Sequence, residues 1–259
     1  MKIDLTGKNA LIGGSSKGIG LGVAIELANS GASVCLMARN QTKLIEIVNQ
    51  LPNSNIHSYL VVDFSKFEEY KIKIEEYIKN NQVDILVNNT QGPSAGNSLS
   101  KNIDSYQEAF DLLFKSVVHT TSLVIPHMQK NKWGRIINVT SVSVKEPLNY
   151  LVLSNSIRSA VVAWAKSLSV DVGKDGITIN SILTGYFDTE RIKELNKEKS
   201  KSLNISENEV LEKMKSLVPI NRLGKPEEYG YLVSFLSSDK ASYINGASIP
   251  IDGGLLKSY

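Results

Sequence analysis

The sequence predicts a doubly wound α/β fold, one parallel sheet covered by helices on both faces. Three observations carry this. Short runs dense in Val, Ile and Leu alternate with longer segments of helical period along the whole chain. The short runs are apolar almost throughout instead of at every second residue, which suits strands buried on both faces. The 259 residues show no break in composition, with 42% hydrophobic and 21% charged residues. One domain over 1–259 is therefore expected.

The strand candidates are KNALIG (8–13), SVCLMA (33–38), HSYLVV (57–62), DILVN (84–88), RIINV (135–139), ITINSI (177–182) and ASIPI (247–251). Helical patterns fill 18–30, 40–51, 65–80, 103–130, 152–172 and 226–238. Right-handed crossovers between parallel strands place such helices on both sides of the sheet. The segment 188–217 breaks the alternation. It is rich in Lys and Glu and carries Ile192, Leu195, Leu203, Leu211, Met214 and Leu217 at loosely helical spacing. It reads either as a solvated helical excursion or as a lid over a ligand, since ligands lie beyond the carboxyl ends of the strands in such sheets. The 152–172 pattern is apolar nearly all round, through Ala160, Val161, Val162, Ala163, Trp164, Ala165 and Leu168. One side is expected on the sheet and another on a second subunit, with the chain's own loops as the alternative cover.

The formal net charge of +3 is small for this length, and Lys and Glu alternate, so no nucleic-acid footprint is read. No apolar run approaches a bilayer span, and no basic-then-apolar leader opens the sequence. The single cysteine, Cys35, sits in an apolar run and reads as a buried small hydrophobe. A cytoplasmic location is expected. His57, His119 and His127 have no metal-ligand spacing and read as structural or surface residues, so no metal is expected.

Chemistry enters after the first strand. GGSSKGIG places Gly14, Gly18 and Gly20 around Ser16, Lys17 and Ile19 at the opening of a helix. Glycines let a backbone turn tightly against a pyrophosphate, whose charge then faces a helix N-terminus. A plain tight turn is the alternative, but the place after the first strand of a βαβ unit favours a dinucleotide cradle. At the end of the second strand, MARN puts Arg39 where an acidic residue would bind a ribose 2′-hydroxyl and an arginine a 2′-phosphate. Lys17 adds a second cation, and the pair favours NADP(H) over NAD(H).

With these motifs the sequence resembles the short-chain dehydrogenase/reductase family, a Rossmann-like group, and within it the 3-oxoacyl-(acyl-carrier-protein) reductases. The likeness covers nearly the whole chain. It rests on GGSSKGIG, on VVDF with Asp63, on DILVNN ending at Asn88 and Asn89, and on GRIINVTS ending at Ser141. It continues through DGITINSILTGYFDT (175–189) and INGASIPIDGG (244–254). The resemblance implies that Asp63 binds the adenine amino group and Asn89 lines the adenine ribose. It implies that TGYFDT, from Gly185 and Tyr186 to Thr189, holds the nicotinamide carboxamide through backbone groups. It also implies that the helices near 103–130 and 152–172 form a subunit interface in a dimer or tetramer.

The same resemblance exposes a departure. The family uses an asparagine, a serine, and a tyrosine followed four residues later by a lysine. Ser141 matches the serine, but the tyrosine place is Ser154, the lysine place is Arg158 and the asparagine place falls near Leu113. Four residues apart, Ser154 and Arg158 share one helix face. A serine hydroxyl is a far weaker acid than a phenol, and an arginine stays charged and relays no proton. Arg158 still suits the nicotinamide ribose and an oxyanion. Tyr150 and Tyr186 are the alternative phenols, each read first as a partly buried aromatic, and Lys115 and Lys145 are the alternative cations. After Asn89 the family usually has Ala-Gly; here Thr90-Gln91 precedes Gly92, and a side chain at 91 is expected to crowd the nicotinamide.

The sequence thus predicts an NADP(H)-dependent oxidoreductase acting on a small carbonyl or alcohol, with Ser141, Ser154 and Arg158 at the reaction centre. The rival reading is a dinucleotide-binding sensor or assembly protein that has lost the chemistry.

Overall fold

The computed structural model describes residues 2–258. Seven strands form one sheet: β1 (Asn9–Gly13), β2 (Ser33–Ala38), β3 (Ser58–Val61), β4 (Ile85–Asn88), β5 (Gly134–Val139), β6 (Ile177–Thr184) and β7 (Ser248–Ile251). Their order is β3-β2-β1-β4-β5-β6-β7, and every pairing is parallel. The order reverses between β1 and β4, which opens a crevice at the carboxyl ends of these strands.

The helices are α1 (Gly18–Asn29), α2 (Gln41–Gln50), α3 (Phe67–Asn80), α4 (Ile103–Phe110), α5 (Ser116–Asn131), α6 (Val152–Val172), α7 (Glu190–Leu203), α8 (Glu207–Ser216) and α9 (Pro226–Leu236). Successive strand residues point to opposite faces, and two hydrophobic layers result. On one face Ile12, Leu36, Val87 and Ile137 pack with Val23 and Leu27 of α1 and Tyr229 and Val233 of α9. On the other, Leu11, Cys35, Leu86 and Ile136 pack with Tyr70 and Ile74 of α3, Val124 and Met128 of α5, and Ala165 of α6. Each such buried side chain contributes roughly 1.5–3 kcal/mol. Cys35 is buried among them and unpaired.

Local chemistry starts the helices where they start. Asn40 accepts a hydrogen bond from the Lys43 N–H at 2.9 Å and opens α2; Asn102 does the same for α4 through Ser105. Ser206 and Glu209 form a reciprocal capping box on α8.

One segment differs from the sequence expectation. The 103–130 pattern is not one helix: a π turn at Asp111–Lys115 joins α4 to α5. The wider turn lets consecutive Leu112 and Leu113 both face inward, and both are buried. On α6, Ser156, Ala160, Ala163, Ser167 and Val170 are exposed at i, i+4, i+7, i+11 and i+14. The chain therefore covers one side of α6 and leaves a smooth stripe of mostly small residues on the other.

Candidate active site

A cleft of about 760 Å³ runs along the carboxyl ends of the strands. The sequence candidates that line it are Gly14, Ser16, Lys17, Gly18, Ile19, Gly20, Arg39, Asn89, Ser141, Ser154, Arg158, Gly185, Tyr186 and Thr189. Asp63 is not among its walls, although Val62 and Phe64 are. Its carboxylate accepts from the Ser65 hydroxyl at 2.6 Å and the Ser65 N–H at 3.0 Å. Partial burial works against its ionisation, but these bonds and the Arg39 charge outweigh burial and hold the carboxyl below its usual range.

The cradle is built by close packing. Gly14 and Gly18 both have φ of +56°, where a side chain is strained. A Cβ on Gly20 would lie 2.3 Å from the Gly14 carbonyl oxygen, so the start of α1 can approach the β1 turn only as glycine. Asn89 donates through Nδ2 to the Gly13 carbonyl at 3.0 Å, locking the cradle to the end of β4. Its amide is thus committed to the protein, while the residue still borders the cleft. Lys17 stands at the start of α1 and Arg39 at the end of β2, both exposed. Lys43, one turn into α2, joins them on the cleft wall. Sequence reasoning missed Lys43; its signal was the Asn40 cap, which sets the first turn of α2 beside Arg39.

At the opposite end, Ser141 follows β5. Its oxygen accepts the Ser143 N–H at 3.1 Å, and among the described residues its own O–H donates to no protein group. Ser154 is buried one turn into α6. Arg158 lies a turn further on, half-buried, and donates to the Val139 carbonyl at the end of β5. Burial pushes its guanidinium down to about 10, with the charge of Arg191 acting in the same sense against the phenol of Tyr229; it stays a cation at neutral pH. Beneath it a cavity of about 10 Å³ is lined by Leu113, Asn88, Asn138 and Arg158, and the buried Asn138 Nδ2 has no hydrogen-bond partner. Leu113, where the resemblance would put an asparagine, is buried. Lys115 pairs with Glu68 and Asp111 at 3.7 Å; neither it nor Lys145 lines the cleft.

The first residues of the 188–217 segment, from Thr189 to Leu195, border this site. Thr189 caps α7, and its methyl carbon would be 3.1 Å from a Cβ on Gly18. Arg191 donates to the Pro93 carbonyl at 2.7 Å across the cleft mouth, and Ile192, Glu194 and Leu195 complete the roof. Gln91 is exposed at the rim; the tight approach falls at Gly92, where a Cβ would be 3.1 Å from Arg191 Nε. Arg191 carried no sequence signal, because its partner is a loop carbonyl 98 residues away.

His57 and His127 serve the fold. The His57 ring accepts from the Val34 N–H at 3.2 Å and lies 2.8 Å from the Pro52 carbonyl, while His127 meets Asp84 at 3.0 Å. Among the described residues there is no cluster of three or more metal-ligating side chains, and no helix is long and apolar enough to cross a membrane.

A parallel sheet with a glycine cradle after β1 and polar groups after β5 and β6 defines a dinucleotide-dependent oxidoreductase architecture. The chain belongs to the short-chain dehydrogenase/reductase family: residues 14–256 match the family model described as enoyl-(acyl carrier protein) reductase. It is 30% identical to the 3-oxoacyl-[acyl-carrier-protein] reductase of Pseudomonas aeruginosa over 99% of this chain and all of that one. It is 32% identical to the oxidoreductase UcpA of Salmonella typhimurium, over 96% of this chain and 95% of that one. Among solved structures, L-sorbose reductase from Gluconobacter frateurii, in complex with NADPH and L-sorbose, superposes with a TM-score of 0.92 at 29% identity, covering both chains fully.

Proposed function

We propose that this chain is an NADP(H)-dependent oxidoreductase that interconverts a small carbonyl compound and its alcohol, through a reaction centre built on Ser141, Ser154 and Arg158. The single observation that supports this most is the continuity of the cleft. One volume connects the cations Lys17, Arg39 and Lys43 with Ser141, Ser154 and Arg158. The glycine cradle fits a pyrophosphate, because a Cβ at Gly14, Gly18 or Gly20 would fill or strain it. The three cations fit a 2′-phosphate, and the place at the end of β2 where a carboxylate would prefer a free hydroxyl holds Arg39.

In this reading the α1 N-terminus and Ser16 hold the pyrophosphate, and Lys17, Arg39 and Lys43 neutralise the 2′-phosphate. Backbone groups from Gly185 to Thr189 orient the nicotinamide. When bound, the reduced nicotinamide supplies a hydride to the carbonyl carbon. Ser141 and Ser154 donate hydrogen bonds to the carbonyl oxygen, and Arg158, fixed on Val139, supplies the positive field that stabilises negative charge there. The smooth exposed stripe on α6 supports assembly of the chain as a dimer or tetramer through that helix.

The test is NADPH consumption, followed by absorbance, with ethyl acetoacetate and L-sorbose as probes, alongside NADPH and NADH titrations by fluorescence. Tighter binding of NADPH and measurable turnover are expected. Tight NADPH binding with no consumption on any carbonyl would replace this reading with the nucleotide-binding sensor.

A further inference from the structure

The loop over 141–151, between β5 and α6, contributes Ser141, Leu148, Tyr150 and Leu151 to the cleft wall. Its first turn is tied down. Val142 and Ser143 are buried, and the Val144 and Lys145 N–H groups bond back to the Ser141 and Val142 carbonyls at 3.2 and 3.0 Å. Its last turn is held as well. The Tyr150 carbonyl accepts the Gly96 N–H at 2.8 Å, and the Leu148 carbonyl accepts Asn155 Nδ2 at 2.9 Å. Between these anchors Lys145, Pro147 and Asn149 are exposed. A stretch with so little burial opens locally at small cost unless something else holds it.

Glu146 holds it. Its Oε1 accepts the Lys257 N–H and the Ser258 N–H, both at 2.8 Å. Gly96 aside, these consecutive amides are the only distant hydrogen-bond partners of 145–151 among the described residues. The Ser258 amide first, and then the Lys257 amide, keep the carboxyl below its usual range, so the acceptor is an anion at neutral pH. The amides reach it by a built path. After β7, Gly253 and Gly254 take φ of +65° and +85°, which only glycine adopts freely. A Cβ on Gly253 would lie 2.7 Å from Val218 and 2.8 Å from Ile220, so the turn packs directly against the stretch that leaves α8. Asp252 fixes this turn by accepting the Gly254 N–H at 2.9 Å and the Leu256 N–H at 2.8 Å. Just before it, the Ile251 carbonyl accepts the N–H of Gly185, a cleft residue, at 3.0 Å. Residues 251–258 thus form a strap joining the end of β6, the exit of α8 and the loop after β5.

We propose that Glu146 is a positioning residue for the carbonyl substrate: by holding residues 257 and 258 it fixes the 148–151 wall of the cleft. The proposal rests on the carbonyl-reducing reading above. It divides the cleft in two. The glycine cradle, Lys17, Arg39 and Lys43 belong to β1, α1, β2 and α2, and among the described residues the strap makes no hydrogen bond to any of these elements. The 148–151 wall is tied to the strap through Glu146. Releasing the strap therefore loosens the substrate side and leaves the nucleotide side as it was.

The experiment compares wild type with Glu146→Ala, Glu146→Gln and a chain ended after Leu256, using ethyl acetoacetate and L-sorbose, and measures NADPH affinity separately. Glu146→Ala and the shortened chain should each raise KM roughly 3- to 10-fold, the factor that one or two net hydrogen bonds supply. The kcat should change by less than about two-fold, since the lost contact serves binding and not the transition state alone. NADPH affinity should not change. Glu146→Gln keeps an acceptor oxygen in place and should recover part of the KM. Shortening the chain in the Glu146→Ala background should add nothing, because both changes remove the same bonds. A second readout needs no turnover: amide hydrogen exchange over 142–151 should quicken in Glu146→Ala and in the shortened chain alike. An unchanged KM in Glu146→Ala overturns the proposal alone, as do additive effects of the two changes or exchange at 142–151 equal to wild type. A wild-type protein that consumes no NADPH overturns both this proposal and the reading on which it rests.

Discussion

Replacing Arg39 by Ala should weaken NADPH binding and leave NADH binding almost untouched. Arg39 stands exposed at the end of β2, with Lys17 and Lys43 on the same wall of the cleft. A hydrogen bond to a charged group contributes about 1.5–3 kcal/mol. Exposure to solvent, and two remaining cations, pull this site toward the lower end of that range. At about 1.4 kcal/mol per tenfold, the dissociation constant for NADPH should rise roughly 10- to 30-fold. NADH carries no phosphate there, so its constant should change by less than about two-fold. The effect should also shrink with salt, because exposed charges are screened beyond about 8 Å at physiological ionic strength. Fluorescence titration of both reduced nucleotides at low and high salt reads all three quantities. Equal loss for NADPH and NADH would refute the reasoning, since Arg39 would then be holding the fold or the shared part of the nucleotide.

Other predictions address the cradle, the lid and the α9 entry. Gly20→Ala should reduce affinity for NADPH and NADH alike and lower Tm, because its Cβ would sit 2.3 Å from a backbone oxygen and 2.9 Å from Asn89 Nδ2, neither free to yield; a Tm equal to wild type contradicts this. Arg191→Ala removes the bond to the Pro93 carbonyl, so limited proteolysis within 190–217 should accelerate while global Tm changes little. Glu228 accepts both arms of the Arg222 guanidinium at 2.8 and 2.6 Å, a bond that, with the Lys225 N–H, holds its carboxyl at about 2. Its folded value lies below the unfolded one, so its stabilisation is complete above about pH 4.5 and lost as pH falls toward 2. Both side chains are more than a third exposed, which limits the contribution to about 1 kcal/mol or less. Urea melts of Glu228→Gln and wild type should differ at pH 6, and the difference should narrow below pH 4.5 and close toward pH 2; a constant difference would exclude the ion pair as its source.

Much of the cofactor half of the site was legible from sequence because its determinants are local. Gly14, Gly18 and Gly20 lie within seven residues, and Arg39 follows a strand that its own Val, Leu and Met residues announce. That Ser154 and Arg158 share one helix face was equally plain, since the period of that helix sets their spacing, and both line the cleft. Lys43 was within reach of the same reasoning through the Asn40 cap. The π turn was not, because it answers to burial of Leu112 and Leu113 against elements distant in sequence, and a helical period alone cannot show it.

The positions of the seven strands, their cover by helices on both faces and the nucleotide cradle were thus determined by the sequence itself, through hydrophobic period, cap residues and glycines acting over a few positions. Only the tertiary structure decided that Arg158 is anchored on Val139, that Arg191 bonds to Pro93 at the cleft mouth, and that Lys199 of α7 stands over the Tyr150 ring. Those groups come from different strands, loops and helices. Their encounter depends on how the crossovers pack, which no single stretch of chain encodes.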